Sequence, residues 1–192
     1  MLPTPKKFCT TPYRATVTNS YINISTNTVR GLDINARYVV PVGPGSLRLN
    51  IGATKYFEQS GQTFTTNPVT ERNGDIYYPK WTGTFDATYK IDEVSFYYGL
   101  NWVGRTNSYD ALGEDENNSI YQFKTPNYFT HNASVRWTTD NYAWTLGVKN
   151  FTDKEPPQIS GYGYNRLGNA PLYSGYDFVG RTFFMNFTAK VK

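Results

Sequence analysis

The stretch 31-GLDINARYVVPVGPGSLRLNIGATKYF-57 decides how this chain is read. Leu32, Ile34, Ala36, Tyr38 and Val40 fall on one parity, and Asp33, Asn35 and Arg37 on the other. After Pro41–Gly45 (PVGPG), where Pro and Gly supply turn dihedrals, Leu47, Leu49, Ile51, Ala53 and Phe57 alternate with Arg48, Asn50, Thr54 and Tyr56. Period-two alternation of this kind marks a strand with one apolar and one polar face. Two such segments around a tight turn predict a hairpin. The parity continues backwards through Ile24 and Ile22, so the first strand is expected to begin near Tyr21.

The same plan repeats outward from that hairpin. Lys80–Lys90 sets Trp81, Phe85, Ala87 and Tyr89 against Thr82, Thr84, Asp86 and Thr88. Val94–Arg105 sets Val94, Phe96, Tyr98, Leu100 and Trp102 against Ser95, Tyr97, Asn101 and Arg105. Tyr128–Trp137, Tyr142–Asn150 and Arg181–Lys192 follow, with Val135, Trp144, Leu146, Phe183 and Met185 among their apolar positions. This gives seven predicted strands. Short connections (Pro41–Gly45, Ile91–Glu93, Thr138–Asn141) alternate with long polar ones (Glu58–Pro79, Thr106–Asn127, Phe151–Gly180). Loops this long are unusual in a compact soluble domain.

Composition narrows the classes. The chain has 192 residues, of which 39% are hydrophobic, 18% charged and 17% aromatic, with a net charge of +4. Tyr, Phe and Thr favour strands, and good helix formers are sparse. No run approaches the roughly 18 apolar residues of a membrane-spanning helix, and residues 1–20 hold no apolar signal segment. Lys and Arg are scattered singly, so the basic patch of a nucleic-acid binder is missing and no nucleic-acid partner is expected.

Alternation alone fits either a soluble β-sandwich, such as a ligand- or carbohydrate-binding module, or a transmembrane β-barrel. Strands of about ten residues, aromatics at the ends of the apolar stripes, and short turns opposite long loops favour an antiparallel up-and-down barrel. Seven strands are an odd number, whereas bacterial single-chain barrels are even. The expectation is therefore a barrel segment, C-terminal in a larger barrel. Residues 1–20 would be an irregular leader within an extracellular loop, and 21–192 the barrel segment.

Three stretches carry a family resemblance. LGVKNFTDKEPP (Leu146–Pro157) is similar to the penultimate-strand signature of TonB-dependent outer-membrane receptors, and YDFVGRTFFMNFTAKVK (Tyr176–Lys192) resembles their closing strand. YINISTNTVRGLDINARYVV (Tyr21–Val40) resembles an upstream strand introduction. The positions carrying the likeness are Gly31, Asp33, Asn150, Asp153, Lys154, Gly180 and Arg181. Membership implies a 22-stranded barrel in the outer membrane of a Gram-negative bacterium. It also implies a plug domain, energy from the TonB complex, and uptake of a scarce nutrient of siderophore, cobalamin or glycan class. The implied partners are outer-membrane lipid, the remainder of the barrel with its plug, TonB, and the small-molecule nutrient. This chain shows no plug or TonB box and ends in Val191-Lys192 where relatives end on an aromatic, so transport by this segment alone is not expected.

Catalytic chemistry finds no support. His131 is the single histidine and falls on the apolar parity, which denies a His–nucleophile pair or a two-His metal site. It reads as an interfacial structural residue. Cys9 reads as the orphan of a disulfide and not as an activated nucleophile. Gly43-Pro44-Gly45 and Gly161-Tyr162-Gly163 are turns, not phosphate loops. Asp110, Glu114, Asp115 and Glu116 form an acidic cluster whose spacing matches no EF-hand, so a solvated loop is the simpler reading than a Ca²⁺ site. No cofactor, metal or enzymatic activity is expected. Tyr162, Tyr164, Asn165, Arg166 and Tyr173, in the loop Ser160–Tyr176, offer stacking faces and donors suited to a catecholate or a sugar. They are the candidate ligand contacts.

Overall fold

The structure is a computed structural model that describes residues 25–114, 120–159, 166–168, 170–172 and 174–190. All regular elements among them are strands: β1 (Thr26–Val42), β2 (Gly45–Gln62), β3 (Thr70–Glu71), β4 (Trp81–Ile91), β5 (Val94–Val103) and β6 (Asn107–Glu114). β7 (Ile120–Lys124), β8 (Tyr128–Thr138), β9 (Tyr142–Lys149), β10 (Arg166–Leu167), β11 (Ala170–Pro171) and β12 (Thr182–Ala189) complete the set. One antiparallel sheet runs in the order β1-β2-β4-β5-β8-β9-β12, with β3 added beside β2. These are the seven strands anticipated from alternation, each joined to its neighbour in chain order.

Register converts seven amphipathic strands into one apolar surface. Val40, Leu47, Tyr89, Phe96, Val135, Leu146 and Met185 form one cross-strand row, and Tyr38, Leu49, Ala87, Tyr98, Ala133, Val148 and Phe183 the next. Little covers this face: Ile34 is 48% exposed, Leu146 57% and Phe183 77%. Beyond the sheet, the described strands form only the two-stranded pairs β6–β7 and β10–β11. Among the described residues no second sheet packs on the apolar face, which sets the sandwich reading aside.

Aromatic residues line both ends of the strands. Toward the long connections, Trp81 stacks on Trp102 with ring centroids 6.2 Å apart, and Trp102 on Phe129 at 6.4 Å. Toward the short turns, Trp144 meets Phe187 at 4.4 Å and Tyr142 stacks on Phe187 at 6.0 Å. The Trp137 indole N–H donates to Glu93 Oε2 at 2.9 Å. Rings also sit between the girdles, where Phe85 and Tyr98 lie 6.4 Å apart, so the middle of the face is less uniformly small than alternation suggests.

The opposite face is polar and internally bonded. Thr54 donates to Asp33 Oδ1 at 2.6 Å across β1–β2, and Tyr97 to Asp86 Oδ1 at 2.5 Å across β4–β5. Phe184, whose parity places it here, lies over Gly147, where any Cβ would strike its ring. Gly31 has a comparable backbone reason. The β1–β2 register shifts between Arg30 and Gly31, which leaves Phe57 as the extra residue of a β-bulge. A Cβ on Gly31 would meet the Lys55 carbonyl at 2.8 Å.

Each long connection holds strand pairing that alternation did not predict: β2 runs on to Gln62 and pairs with β3 within Glu58–Pro79, and β10 pairs with β11 within Phe151–Gly180. Thr106–Asn127, read as a long irregular loop, contains the paired strands β6 and β7, whose register shifts between Asn107 and Leu112. NSYDALGE (Asn107–Glu114) has no sustained alternation, so backbone pairing there leaves no side-chain periodicity to detect.

Candidate functional site

The long-connection rim of the sheet is where side chains are buried. Asn150, at the end of β9, is 1% exposed and holds a left-handed backbone with φ 47°. Its own N–H donates to Asn132 Oδ1 at 2.9 Å, which anchors it to β8. Its amide nitrogen donates to the Lys154 carbonyl at 3.0 Å and to Asp177 Oδ2 at 2.9 Å, and its Oδ1 accepts the Lys154 N–H at 2.8 Å. One planar amide thereby closes a turn and captures a segment 27 residues away in sequence. Asn tolerates the left-handed region that most residues avoid, so Asn suits both the conformation and the bonds.

Tyr128 and Tyr176 extend this knot. The Tyr128 hydroxyl donates to the Lys154 carbonyl at 3.1 Å and accepts the Asp177 N–H at 3.3 Å. Its ring meets that of Tyr176 edge-on at 5.0 Å, and both pack with Val103. The Tyr176 hydroxyl lies 3.1 Å from Thr125 Oγ1 and 3.4 Å from Thr106 Oγ1, at the feet of the β6–β7 hairpin. Asp153, with φ 55°, accepts the Arg181 N–H at 2.8 Å and pairs with its guanidinium at 3.2 Å. That backbone N–H, then the cationic charge, hold the exposed Asp153 carboxyl below the ordinary carboxylate range. Gly180 (φ 76°) sits against the same carboxylate.

Five of the seven positions carrying the family likeness thus meet in one latch: Asn150, Asp153, Lys154, Gly180 and Arg181. Gly31 and Asp33 lie instead at the bulge and polar face of β1. All seven have structural work in this arrangement. Tyr176 and Asp177 open the YDFVGR stretch that carries the closing-strand likeness, whereas Tyr128, Thr106 and Thr125 stand in no motif of the sequence. Tyr128 could be recognised only as a rim aromatic, and nothing local marks the two threonines.

Of the five candidate ligand contacts, Tyr162, Tyr164, Asn165 and Tyr173 lie outside the described residues, and only the backbone of Arg166, in β10, is described. Cys9, Glu116 and Asp115 also lie outside them. Among the described residues, two clefts open at the rim. One, of about 630 Å³, lies on the polar face against Tyr97, Asn101, Thr130, Ser134, Lys149 and Tyr176. The other, of about 700 Å³, lies between the β2–β4 and β5–β8 connections and brings Lys80, Arg105 and Lys124 around Asn107 and Asn127. The first offers hydroxyls and amides to a polar solute. The second offers cations and amides to an anionic one. Among the described residues no cluster of His, Cys, Asp and Glu could hold a metal ion. His131 Nδ1 lies 2.8 Å from the Tyr98 hydroxyl and its ring 5.7 Å from Phe151, a packed position on the apolar face.

Comparison with known proteins agrees with this geometry. The family model described as "TonB dependent receptor-like, beta-barrel" matches residues 4–151. Its match ends at Phe151, just beyond Asn150, so the rest of the latch lies past it. Among solved structures, the ferric enterobactin receptor of Pseudomonas aeruginosa superposes with a TM-score of 0.54 at 16% identity, over 85% of this chain and 22% of that one. At that identity the likeness concerns the fold, and the chain spans about a fifth of that receptor's length. No curated protein matches.

Proposed function

Since the chain belongs to the TonB-dependent receptor-like β-barrel family, we propose that it forms wall and outer loops of an outer-membrane nutrient receptor. The family is one of receptors and transporters in the outer membrane of Gram-negative bacteria. In the proposed setting the apolar face meets lipid and the polar face looks into the lumen. The short turns are then periplasmic, and the long connections extracellular. Residues 21–192 are the barrel segment of a larger, 22-stranded barrel, and residues 1–20 belong to an extracellular loop. The observation that carries this reading is the apolar surface seven strands wide, bare and bounded by aromatic rows at both ends. An area of that extent is far beyond the few hundred Å² of apolar patch a soluble protein usually tolerates.

The remaining strands and a plug would complete the barrel, with TonB acting through the plug. Alone, this segment has two open sheet edges and does not transport. The nutrient is of the siderophore, cobalamin or glycan class. The cations Lys80, Arg105 and Lys124 favour an anionic metal chelate, and Tyr162, Tyr164, Asn165, Arg166 and Tyr173 would meet it from the β9–β12 loop. No step of bond chemistry is assigned to the chain. Fractionating the cells that make the protein tests the proposal. Recovery with outer membranes after high-salt and carbonate washing is expected, and recovery in the soluble fraction would overturn it.

A further inference from the structure

Lys55 is misplaced by the ordinary logic of the sheet. It pairs in register with Leu32 and Trp81, which puts it on the apolar face, one row beyond Ala53, Gly83 and Trp102. Its Nζ lies 5.1 Å from the Trp81 ring centroid and 5.2 Å from that of Phe57. The bulge at Phe57 brings the second ring to this spot. Three cations occupy or border the apolar parity at this rim. Arg30 pairs with Glu58 at 3.6 Å and Arg181 with Asp153 at 3.2 Å. Lys55 has no ion pair among the described residues.

We propose that Lys55, held between Phe57 and Trp81, receives the phosphate of an outer-leaflet lipid head group. The inference rests on the membrane orientation proposed above, which sets Lys55 at the extracellular girdle. Lysine at such a boundary lays its alkyl stem along apolar surface and lifts its ammonium toward the head groups. Two aromatic faces hold that ammonium at the girdle while leaving its charge unneutralised, since a ring quadrupole attracts a cation without cancelling it. A phosphate at the same depth supplies the missing counter-charge. Glu58 is engaged by Arg30, so the nearest carboxylate on β2 does not compete for Lys55.

The test uses the protein extracted from the membranes of the cells that make it, in wild-type, Lys55→Gln and Lys55→Arg forms. Each is exchanged into phosphatidylcholine nanodiscs doped with bisphosphorylated lipid A, and retained lipid A is counted by native mass spectrometry. Lys55→Gln is expected to lower its affinity about fivefold, the factor one basic residue contributes at an anionic surface, while Lys55→Arg retains it. Equal retention by Lys55→Gln and wild type, in protein that remains membrane-inserted, would overturn the lipid contact alone. Absence of the wild-type protein from the membrane fraction would overturn the orientation on which it rests. Should Lys55→Gln fail to insert, Lys55→Met with the same readout replaces it.

Discussion

The strands and the rim of this sheet are stabilised by opposite surroundings. Leu146, Phe183 and Met185 stand 57%, 77% and 63% exposed on the apolar face, with few protein atoms above them. A few residues along the same chain, Asn150 is 1% exposed and every polar atom of its side chain is bonded within the protein. Moving one large apolar side chain out of water is worth about 1.5–3 kcal/mol. In the proposed membrane setting a face seven strands wide draws its stability from the bilayer, while the rim draws its own from internal bonds. The comparison predicts that charge will be punished on the face and forgiven on the lumen side. It also predicts that removing one amide will be punished at the rim.

The largest effect should come from the rim. Asn150→Ala removes the side-chain donor to the Lys154 carbonyl and to Asp177 Oδ2 together with the acceptor of the Lys154 N–H, and places Ala at φ 47°. A loss of about 4 kcal/mol follows from losing three hydrogen bonds at once, one of them to a carboxylate. Urea unfolding of the membrane-embedded protein, followed by tryptophan fluorescence, would show it. A loss near zero would mean that the latch is incidental.

Paired arginine substitutions on β4 sharpen the other half of the comparison. Phe85→Arg puts a charge on the apolar face midway between Trp81 and Tyr89 and should cost about 3 kcal/mol, as charges do near the bilayer midplane. Thr84→Arg, one residue earlier on the polar face, should cost much less in the same assay. Equal costs would erase the distinction between the faces.

The smallest effect is electrostatic and lies at the rim surface. The folded-state Asp153 carboxyl titrates below its unfolded value, so its contribution is complete above about pH 4, the ordinary carboxylate range. It is lost as pH falls through the depressed folded value. Asp153→Asn should flatten the acid limb of stability below about pH 4 and change little near neutrality, because the pair is exposed and screened. An unchanged acid limb in Asp153→Asn would show that other groups govern it.

The same contrast explains what could be read from sequence. Strands β1, β2, β4, β5, β8, β9 and β12 were legible because one face of the sheet is almost wholly apolar and the other polar, which imprints period two on the chain. The latch was legible only as a set of familiar residues. Asn150 acts through Asp177 and Tyr128 through Lys154, across separations that no local pattern encodes. The β6–β7 hairpin leaves no mark in the sequence because its pairing is made by backbone. Lys55 lies between Ala53 and Phe57 on the apolar parity, where alternation by itself marks only the apolar members of the stripe. The Tyr-rich loop from Ser160 was legible as chemistry, but what places its side chains lies outside the described residues.

The central claim, that one face meets lipid and the other water, can be measured residue by residue along β4. With Cys9 replaced by serine, a nitroxide is attached in turn at each position from Thr82 to Tyr89 in the membrane-embedded protein. Its collisions with oxygen and with a water-soluble nickel chelate are then compared. The account predicts strict alternation, with Gly83, Phe85, Ala87 and Tyr89 reached by oxygen and Thr82, Thr84, Asp86 and Thr88 by the nickel chelate. Equal access of the nickel chelate to both sets would contradict it.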